Sequence, residues 1–321
     1  MSAFFLKLLI KLWSWIFAAV MLFCPGAALS GAAIQPLDPA ALRLNFSVLA
    51  DTHIESYTMF RFQYLRSAMK DIARAPVRSD ALVLLGDNTM NGQCTEYMML
   101  YGILAAHNKS AHTLVAMGNH DLNPSTYTYE AALRRHNLFY NAYTGAQNEK
   151  PYYAREIGGY TFIVLGSEGA GDTDRSYVSP AQLQWLDGTL AGAAQPGKPI
   201  FVFHHQPFND KVHFPDAHPN RPDGDYWYNL SGFTTGTCSD GLFSVLKKYD
   251  NVIYFYGHLH ATLGICETEG VTLANVYPFT ELPGGNGMYV EVYEDRVVLR
   301  GRQYALGEWN TDHAAYTVDL K

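Results

Sequence analysis

The sequence contains few cysteines and no excess of basic residues. Only four of its 321 residues are cysteine, and they lie far apart in the chain, which excludes a zinc knuckle. Acidic residues outnumber basic ones by 30 to 23, and the net charge is −7. A chain with this net negative charge is not expected to have the positively charged surface of a nucleic-acid-binding protein. The chain has no internal repeat, and its 48% hydrophobic and 17% charged residues are typical of a globular protein with a sizeable core.

The first thirty residues contain no acidic side chain. Lys7 and Lys11 precede an apolar run over residues 12–23, and small residues follow it. This order is typical of a signal peptide, so we predict that residues 1–30 are removed and that the protein is secreted, periplasmic or otherwise extracytoplasmic. The alternative is an uncleaved membrane anchor formed by residues 4–23, which would be the only membrane contact of the chain.

Cleavage would leave three cysteines, Cys94, Cys238 and Cys266. An odd number permits at most one disulfide within the chain and leaves one thiol over. Cys238 with Cys266 is the pairing that we expect.

Short apolar runs of strand length alternate with segments of helical periodicity. This alternation predicts an α/β layered domain over residues 40–308. Within it, residues 208–239 have no periodicity and are expected to be an insertion that sets specificity, whereas residues 309–321 are expected to form an irregular tail. Residues 153–164 are typical of a β-hairpin. Helices are predicted over residues 60–75, 95–108, 124–137 (with Pro124 in the first turn), 180–192 and 240–250.

Acidic, amide and histidine side chains are concentrated where the predicted strands end. Ligands of layered α/β domains bind beyond the carboxyl ends of the strands, so these side chains are candidates for one site. Imidazole, carboxylate and amide donors suit Zn, Fe and Mn ions. The side chains belong to five motifs: Asp51-Thr52-His53, Gly86-Asp87-Asn88, Gly118-Asn119-His120-Asp121, His204-His205-Gln206-Pro207 and Gly257-His258-Leu259-His260.

The spacing within two of the motifs predicts metal chelation. Residues i and i+2 of an extended segment project to the same side, with Cα atoms about 7 Å apart. Asp51 and His53 are therefore expected to bind one ion. His258 and His260 are expected to reach one each of two ions that lie about 3.5–4 Å apart.

In this order, the five motifs resemble those of the calcineurin-like metallophosphoesterase family, and the resemblance extends from about Leu44 to Tyr304. It implies a two-sheet β-sandwich flanked by helices, with a dinuclear metal site at the strand ends. It further implies an enzyme that hydrolyses phosphomonoesters or phosphodiesters by attack of a metal-bridging hydroxide, without a covalent enzyme intermediate.

The resemblance also implies a role for each residue of the motifs. Asp87 would bridge the two ions, and His205 is favoured over His204 as a ligand because it stands two residues before Pro207. His120 would contact the phosphate and protonate the leaving oxygen, a task that suits histidine near neutral pH. Asp121 would orient His120 through a hydrogen bond. The first ion would take Asp51, His53 and His260, and the second would take Asn119, His258 and His205 or His204.

Several alternatives stay open from the sequence. The ions would be Mn, Fe or Zn, and the substrate a small-molecule or lipid phosphoester, either a monoester or a diester. A protein that keeps the fold and only binds ligands is the alternative from a different functional class. A hydrolase of the metallo-β-lactamase type is disfavoured, because His258-Leu259-His260 lacks the Asp-His continuation that such a site needs.

Overall fold

The computed structural model describes residues 5–12, 29–169, 175–208, 213–214, 226–227, 239–261, 263–280, 284–310 and 315–321. The strands are β1 (Leu44–Leu49), β2 (Ala81–Leu85), β3 (His112–Ala116), β4 (Tyr153–Ile157), β5 (Tyr160–Val164), β6 (Ile200–Phe203), β7 (His213–Phe214), β8 (Tyr226–Trp227), β9 (Val252–Tyr256), β10 (Gly264–Thr268), β11 (Val271–Asn275), β12 (Asn286–Val292), β13 (Arg296–Gln303), β14 (Glu308–Trp309) and β15 (Tyr316–Asp319). The helices are α1 (Met59–Ala73), α2 (Cys94–His107), α3 (Asn119–Leu122), α4 (Tyr129–Thr144), α5 (Pro180–Ala193) and α6 (Ser239–Leu246), and residues 5–12 are also helical.

The first sheet combines strands from both ends of the domain. Its strand order is β14-β13-β12-β1-β2-β3, and β15 pairs with β13. Strands β1, β2 and β3 are parallel, whereas β12 runs antiparallel to β1. Every residue of β1 and β2 is buried, as expected for parallel strands that are covered on both faces.

The second sheet has the strand order β10-β11-β9-β6-β5-β4. Its central strands β5, β6, β9 and β11 are parallel, and β4 and β10 pair antiparallel at the two edges. The predicted hairpin is confirmed as β4 and β5. Gly158 and Gly159 form its turn with φ angles of 58° and 81°, a left-handed conformation that glycine adopts without steric cost.

Phenylalanine side chains fill the space between the two sheets. The ring centroid of Phe46, on β1, lies 5.0 Å from those of Phe162 and Phe201. It lies 6.1 Å from those of Phe203 and Phe255. All five side chains are fully buried. Because one ring of the first sheet contacts four rings of the second, the sheets pack face to face as a sandwich.

Helices cover the outer faces of the sandwich. Leu65 of α1 and Leu100 of α2 belong to the core that contains the first sheet. Leu186 and Leu190 of α5, together with Leu242 of α6, pack on the outer face of the second sheet. The predicted fold, two sheets flanked by helices in an α/β layered arrangement, is confirmed.

The loops that follow β1, β2, β6 and β9 are joined by backbone hydrogen bonds at one edge of the sandwich. The amide of Asp51, after β1, donates to Gly86 O, after β2 (3.1 Å). The amide of Gly257, after β9, donates to His205 O, after β6 (3.0 Å). Because these loops begin at the carboxyl ends of parallel strands, polar side chains from distant parts of the chain meet there.

Two expectations about the periphery of the fold were wrong, and one strand was missed. Helix α4 begins at Tyr129 and not near Pro124, because the Thr128 side chain accepts a hydrogen bond from the amide of Ala131 and caps the helix there. Residues 316–319 are not irregular, because β15 pairs antiparallel with β13. Strand β10 was not predicted, since its short sequence carries no alternating apolar pattern and is ordered by pairing with β11.

Several sequence predictions concern residues outside the described ranges. They include residues 1–4 and 13–28 of the signal peptide or anchor, nearly all of the insertion at 208–239, and Cys238 of the expected disulfide. No helix in the described part of the chain combines the length and the apolar composition needed to cross a bilayer. These predictions stay predictions.

Candidate metal centre

The loops at the strand ends bring the predicted ligands together. Three groups of side chains each place potential ligand atoms within 4.8 Å of one another: Asp51, His53 and His260; His53, Asp87 and His120; and Asp87, His205 and His258. We call the first group cluster A and the third group cluster B. Each cluster contains residues that were expected to bind one of the two ions. The role of each residue as a ligand stays a prediction.

In cluster A, nitrogen and oxygen atoms face each other across a small space. His53 Nε2 lies 3.2 Å from His260 Nε2. Asp51 Oδ1 lies 3.5 Å from His260 Nε2 and 4.0 Å from His53 Nε2. Two ligand atoms that bind one ion at about 2.1 Å each are roughly 3–4 Å apart, so the spacing suits a bound ion.

In cluster B, His205 faces the carboxylate of Asp87. His205 Nδ1 donates a hydrogen bond to Leu85 O (2.9 Å), and this leaves Nε2 to point towards Asp87 Oδ2, 3.2 Å away. A histidine that binds a metal ion through one ring nitrogen commonly donates a hydrogen bond from the other, which orients the ring. The ring of His258 lies against His205, with centroids 5.0 Å apart. His204 is instead buried with its Nε2 2.8 Å from Ser176 Oγ, outside both clusters.

Two buried oxygen atoms indicate that the site fits metal ions. Asp51 Oδ1 and Asn119 Oδ1 are buried, and neither accepts a hydrogen bond from the residues that the structure describes. A buried acceptor without a partner costs about 1–3 kcal/mol, so such atoms are rare unless they bind something else. The neighbouring imidazoles and carboxylates complete a donor set of the kind that Zn, Fe and Mn bind.

The backbone at the ligands is left-handed rather than extended. Asp51, His53, Asp87, His258 and His260 have φ angles of 56°, 41°, 48°, 69° and 49°. The extended geometry assumed for the two i, i+2 pairs was therefore wrong, although the paired side chains do converge. Residues other than glycine uncommonly adopt such angles, and strained residues of this kind cluster at functional sites where the surrounding structure enforces them.

Glycine residues make room for ligands that come from other loops. A Cβ atom on Gly257 would lie 2.7 Å from Asp51 Oδ2, and one on Gly86 would lie 2.6 Å from Cγ of His205. The space beside Gly118 is filled by the backbone amide and side chain of Asp87. Each glycine therefore packs against a predicted ligand from a different strand end, which explains why three of the five motifs begin with glycine.

The sequence that forms this site matches a known protein family. The model of the calcineurin-like phosphoesterase family matches residues 44–262, which is more than half of the chain and includes all five motifs. The chain belongs to the calcineurin-like phosphoesterase family. The resemblance inferred from the motifs is thus confirmed. No protein of curated function matches this phosphoesterase.

Solved structures with the same fold are distant in sequence. A dimetal phosphatase from Danio rerio is 17% identical, with 87% of this chain and 100% of that chain covered and a TM-score of 0.58. The purple acid phosphatase PPD1 from yellow lupin (Lupinus luteus) seeds is 14% identical, with 86% of this chain and 53% of that chain covered and a TM-score of 0.55. These likenesses show the fold. Together with the family match, they support a metal-dependent phosphoester hydrolase, and the ligand clusters support a dinuclear metal site.

Replacing Gly118 of the phosphoesterase with alanine is expected to disrupt the site. The new Cβ would collide with the backbone nitrogen of Asp87, which cannot rotate away as a flexible side chain would. We expect Gly118→Ala to bind less metal and to lose about 100-fold in activity, because even small displacements of catalytic groups are costly. Metal analysis and kinetics measure both effects.

The matched control for this substitution is Gly188→Ala. Gly188 lies inside α5, and a Cβ there would meet nothing within 4 Å. This variant should keep its metal and gain about 0.5–1 kcal/mol in the free energy of unfolding, because alanine favours helix more than glycine does. Equal metal content in the two variants would contradict the packing role of Gly118.

The acids of the phosphoesterase site are held ionised by their histidine neighbours. Burial alone would raise the pKa of Asp51, but the imidazole of His260, whose Nε2 lies 3.5 Å from Oδ1, and the charge of His205 bring it below its ordinary value. Burial likewise opposes ionisation of Asp87, but the charge of His205 together with its hydrogen bond lowers the pKa of Asp87 below its ordinary value. Ionised carboxylates are the form that binds a metal ion.

The histidines divide into one charged and several neutral side chains. Burial lowers the pKa of His53 to about 4, and burial together with the charge of His205 lowers the pKa of His258 to about 4. Burial also acts to lower the pKa of His205, but the negative charges of Asp87 and Asp51 raise it to about 9. His205 is therefore protonated near neutral pH when no ion is bound.

Metal affinity should consequently depend on pH. An ion bound by His205 Nε2, as predicted, would need the lone pair of that nitrogen and would have to displace its proton, whose occupancy increases as the pH falls. Apparent metal affinity should therefore weaken by about tenfold per pH unit as the pH falls below about 9. Titrating the imidazole ¹⁵N shifts of the metal-free protein tests this, with buried His136, whose pKa burial lowers to about 3, as an internal reference that stays neutral. A midpoint for His205 below neutrality would contradict the prediction.

Asp121 does not make the hydrogen bond expected of it. His120 Nδ1 donates to Met90 O (2.8 Å), and Asp121 accepts no hydrogen bond from His120 within the described residues. Asp121 Oδ2 instead accepts from the amides of Asn88 (3.1 Å) and Gly118 (3.0 Å), and Oδ1 accepts from the amide of Thr89 (3.0 Å). The expected role was therefore wrong in detail: Asp121 ties the loop after β2 to the loop after β3.

Groups that support the ligands were missed in the sequence. Arg61 Nη1 donates to His53 O (2.8 Å). The carbonyl oxygens of Leu85 and Met90 orient His205 and His120. Backbone carbonyls carry no residue-type signal, so no sequence pattern reveals them.

Proposed function

We propose that this phosphoesterase hydrolyses phosphomonoesters or phosphodiesters of small molecules or lipids with the help of two Mn, Fe or Zn ions. Cluster A would hold one ion through Asp51, His53 and His260. Cluster B would hold the other through His205 and His258 together with Asn119. Asp87 would bridge the two ions.

One observation carries this proposal. Asp87 Oδ2 lies 3.8 Å from His53 Nε2, which belongs to cluster A, and 3.2 Å from His205 Nε2, which belongs to cluster B. A single buried carboxylate oxygen thus faces both groups of ligands. Such a position is required of a group that bridges two ions about 3.5–4 Å apart.

His120 is the side chain of this site that is suited to move a proton. Its backbone amide donates to Asp87 Oδ1 (2.9 Å), and its ring lies 4.7 Å from that of His53, so it stands beside the clusters. With Nδ1 held by Met90 O, Nε2 is left to exchange a proton with the leaving oxygen. Bound ions would acidify a water molecule and offset the negative charge of the phosphoryl group.

The direct test measures hydrolysis of p-nitrophenyl phosphate and bis-p-nitrophenyl phosphate. Metal-free protein is compared with protein loaded with Mn, Fe or Zn, and activity that requires a metal is expected for at least one ester. The ratio of the two rates distinguishes a monoesterase from a diesterase. The alternative of a non-catalytic binding protein predicts that loaded protein remains inactive on a broad panel of phosphoesters.

Export is a separate part of the proposal. It is supported by the order of basic, apolar and small residues in the first thirty positions. Mass spectrometry of the protein recovered from its native cells should find a chain that begins after residue 30 in an extracytoplasmic fraction. An intact N-terminus in the membrane fraction would instead indicate an anchor.

A further inference from the structure

A polar cavity of about 340 Å³ opens beside His120. Its lining includes Asn119 and His120 from the metal-site loop, and Asn91, Asn123 and Thr126 from the adjoining segments. The volume is near the lower end of ligand cavities, which span about 300–1,000 Å³. A larger cavity of about 630 Å³ lies near the start of β3, at the opposite end of that strand from the ligands, and contains none of them.

His120 is the only histidine among the described residues that line the smaller cavity, and the others carry amide, hydroxyl or apolar side chains. Amide side chains and the hydroxyls of Ser125 and Thr126 supply hydrogen-bonding groups, and Met90 and Pro124 supply apolar surface. No lysine, arginine, aspartate or glutamate is among them. A second phosphate or a carboxylate placed here would lose hydration without gaining a lysine or arginine partner from the lining, which is unfavourable.

Hydrogen bonds hold the cavity wall in place before any ligand binds. Asn123 Nδ2 donates to Asn91 O (3.0 Å), and Ser125 Oγ donates to Asn123 Oδ1 (2.8 Å). The side chain of Asn91 is itself fixed, because its Nδ2 donates to Glu96 Oε1 (2.9 Å). The amide of Thr126 donates to Asn123 O (2.9 Å), and Thr126 is exposed at the wall. A preformed wall loses little entropy when it binds a ligand.

We propose that this cavity receives the leaving alcohol of the substrate and selects an uncharged alcohol that carries further hydroxyl groups. The inference rests on the proposed function, because His120 would give its proton to the oxygen that departs when the P–O bond breaks. The alcohol leaves from the side on which His120 stands, so it enters the cavity that His120 lines. Hydroxyl groups on the alcohol then exchange hydrogen bonds with the neutral wall, and Thr126 is the donor that we test.

The experiment compares two substrates that differ only in hydroxyl groups, glycerol 1-phosphate and propyl phosphate. The ratio of their kcat/KM values is measured for the metal-loaded full chain and for Thr126→Val, which keeps the shape of the side chain and removes its hydroxyl. We expect the ratio to fall about fivefold in Thr126→Val, the effect of losing one hydrogen bond. Thr126→Ser is the matched control and should keep the ratio within about twofold of wild type, since it retains the hydroxyl.

A binding measurement removes any influence of leaving-group chemistry. Calorimetry with 3,4-dihydroxybutylphosphonate and butylphosphonate should show tighter binding of the diol to the wild type and to Thr126→Ser. Thr126→Val should lose about fivefold of that preference.

The outcomes separate this inference from the proposed function. Equal ratios in wild type and Thr126→Val, or equal affinity of the wild type for the two phosphonates, would overturn the leaving-group site while leaving hydrolysis intact. Failure to hydrolyse either ester and both nitrophenyl esters would instead overturn the proposed function.

Discussion

Asp87→Asn is expected to lose both metal ions and to reduce phosphoesterase activity by roughly 10³-fold or more. The substitution keeps the size of the side chain and removes the charge that faces both clusters. Asp87 is almost fully buried, so water cannot replace the missing carboxylate. Metal content per chain is measured by elemental analysis after dialysis. It should fall from about two ions to below one, because the substitution weakens a ligand that both ions would share.

The control for this variant is Asp187→Asn on the surface of α5. Asp187 pairs with Lys248 (3.0 Å), neither residue is a predicted ligand, and both side chains are partly exposed. This variant should retain two ions and its activity, since exposed ion pairs contribute little. Two ions retained in folded Asp87→Asn protein would rule out a bridging role for that carboxylate.

His120→Gln is expected to lower the hydrolysis of an alkyl phosphate by about 10³-fold, within the range known for proton donors. The loss with p-nitrophenyl phosphate should be only about tenfold, because nitrophenolate departs without needing a proton. The metal content should remain close to that of the wild type. The backbone amide that donates to Asp87 Oδ1 is unchanged by the substitution, so the nearby carboxylate keeps that contact.

This combination of measurements distinguishes a proton donor from a ligand. His120 lies within reach of His53 and Asp87, so a metal-binding role is the competing explanation. A parallel fall in metal content and in the hydrolysis of both esters would favour that explanation. His107→Gln, near the end of α2, serves as the control for replacing a histidine away from the site and should behave as the wild type.

The sequence predicted the strands and their ends because both carry strong local signals. The run from Leu44 to Leu49 is buried throughout, as are those of β2, β6 and β9, and such short apolar runs are readily recognised. Polar residues directly after them are unusual enough to indicate a site. Because the carboxyl ends of parallel strands meet at one edge, the positions of the motifs place Asp51 near Asp87 in the first sheet. That Asp51 also meets His260, which follows a strand of the second sheet, was implied only by the resemblance to the family.

The local geometry of the ligands could not be predicted in the same way. The left-handed backbone of Asp51 and His258 depends on contacts between loops that are distant in sequence. The same holds for Asp121, whose partners belong to the loop after β2 as well as to its own. Sequence spacing describes neighbours along the chain, whereas these conformations are set by tertiary packing.

The errors at the periphery have a similar origin. Pro124 and Thr128 are both plausible helix starts, and the choice between them depends on which capping interaction the folded loop permits. Residues 316–319 alternate apolar and polar side chains, but this strand pattern is only four residues long, and the segment is ordered by pairing with β13 in the first sheet. Edge strands of this kind obtain their structure from a partner rather than from their own composition.

The ligands of cluster A extend from Asp51 to His260, across most of the chain and both sheets. Bringing such distant segments together in an unfolded chain costs conformational entropy, so we expect the sandwich to assemble before the ions bind. Under metal starvation, cells would accumulate folded apoprotein that recovers activity when ions return, unlike small zinc domains that unfold without their ion.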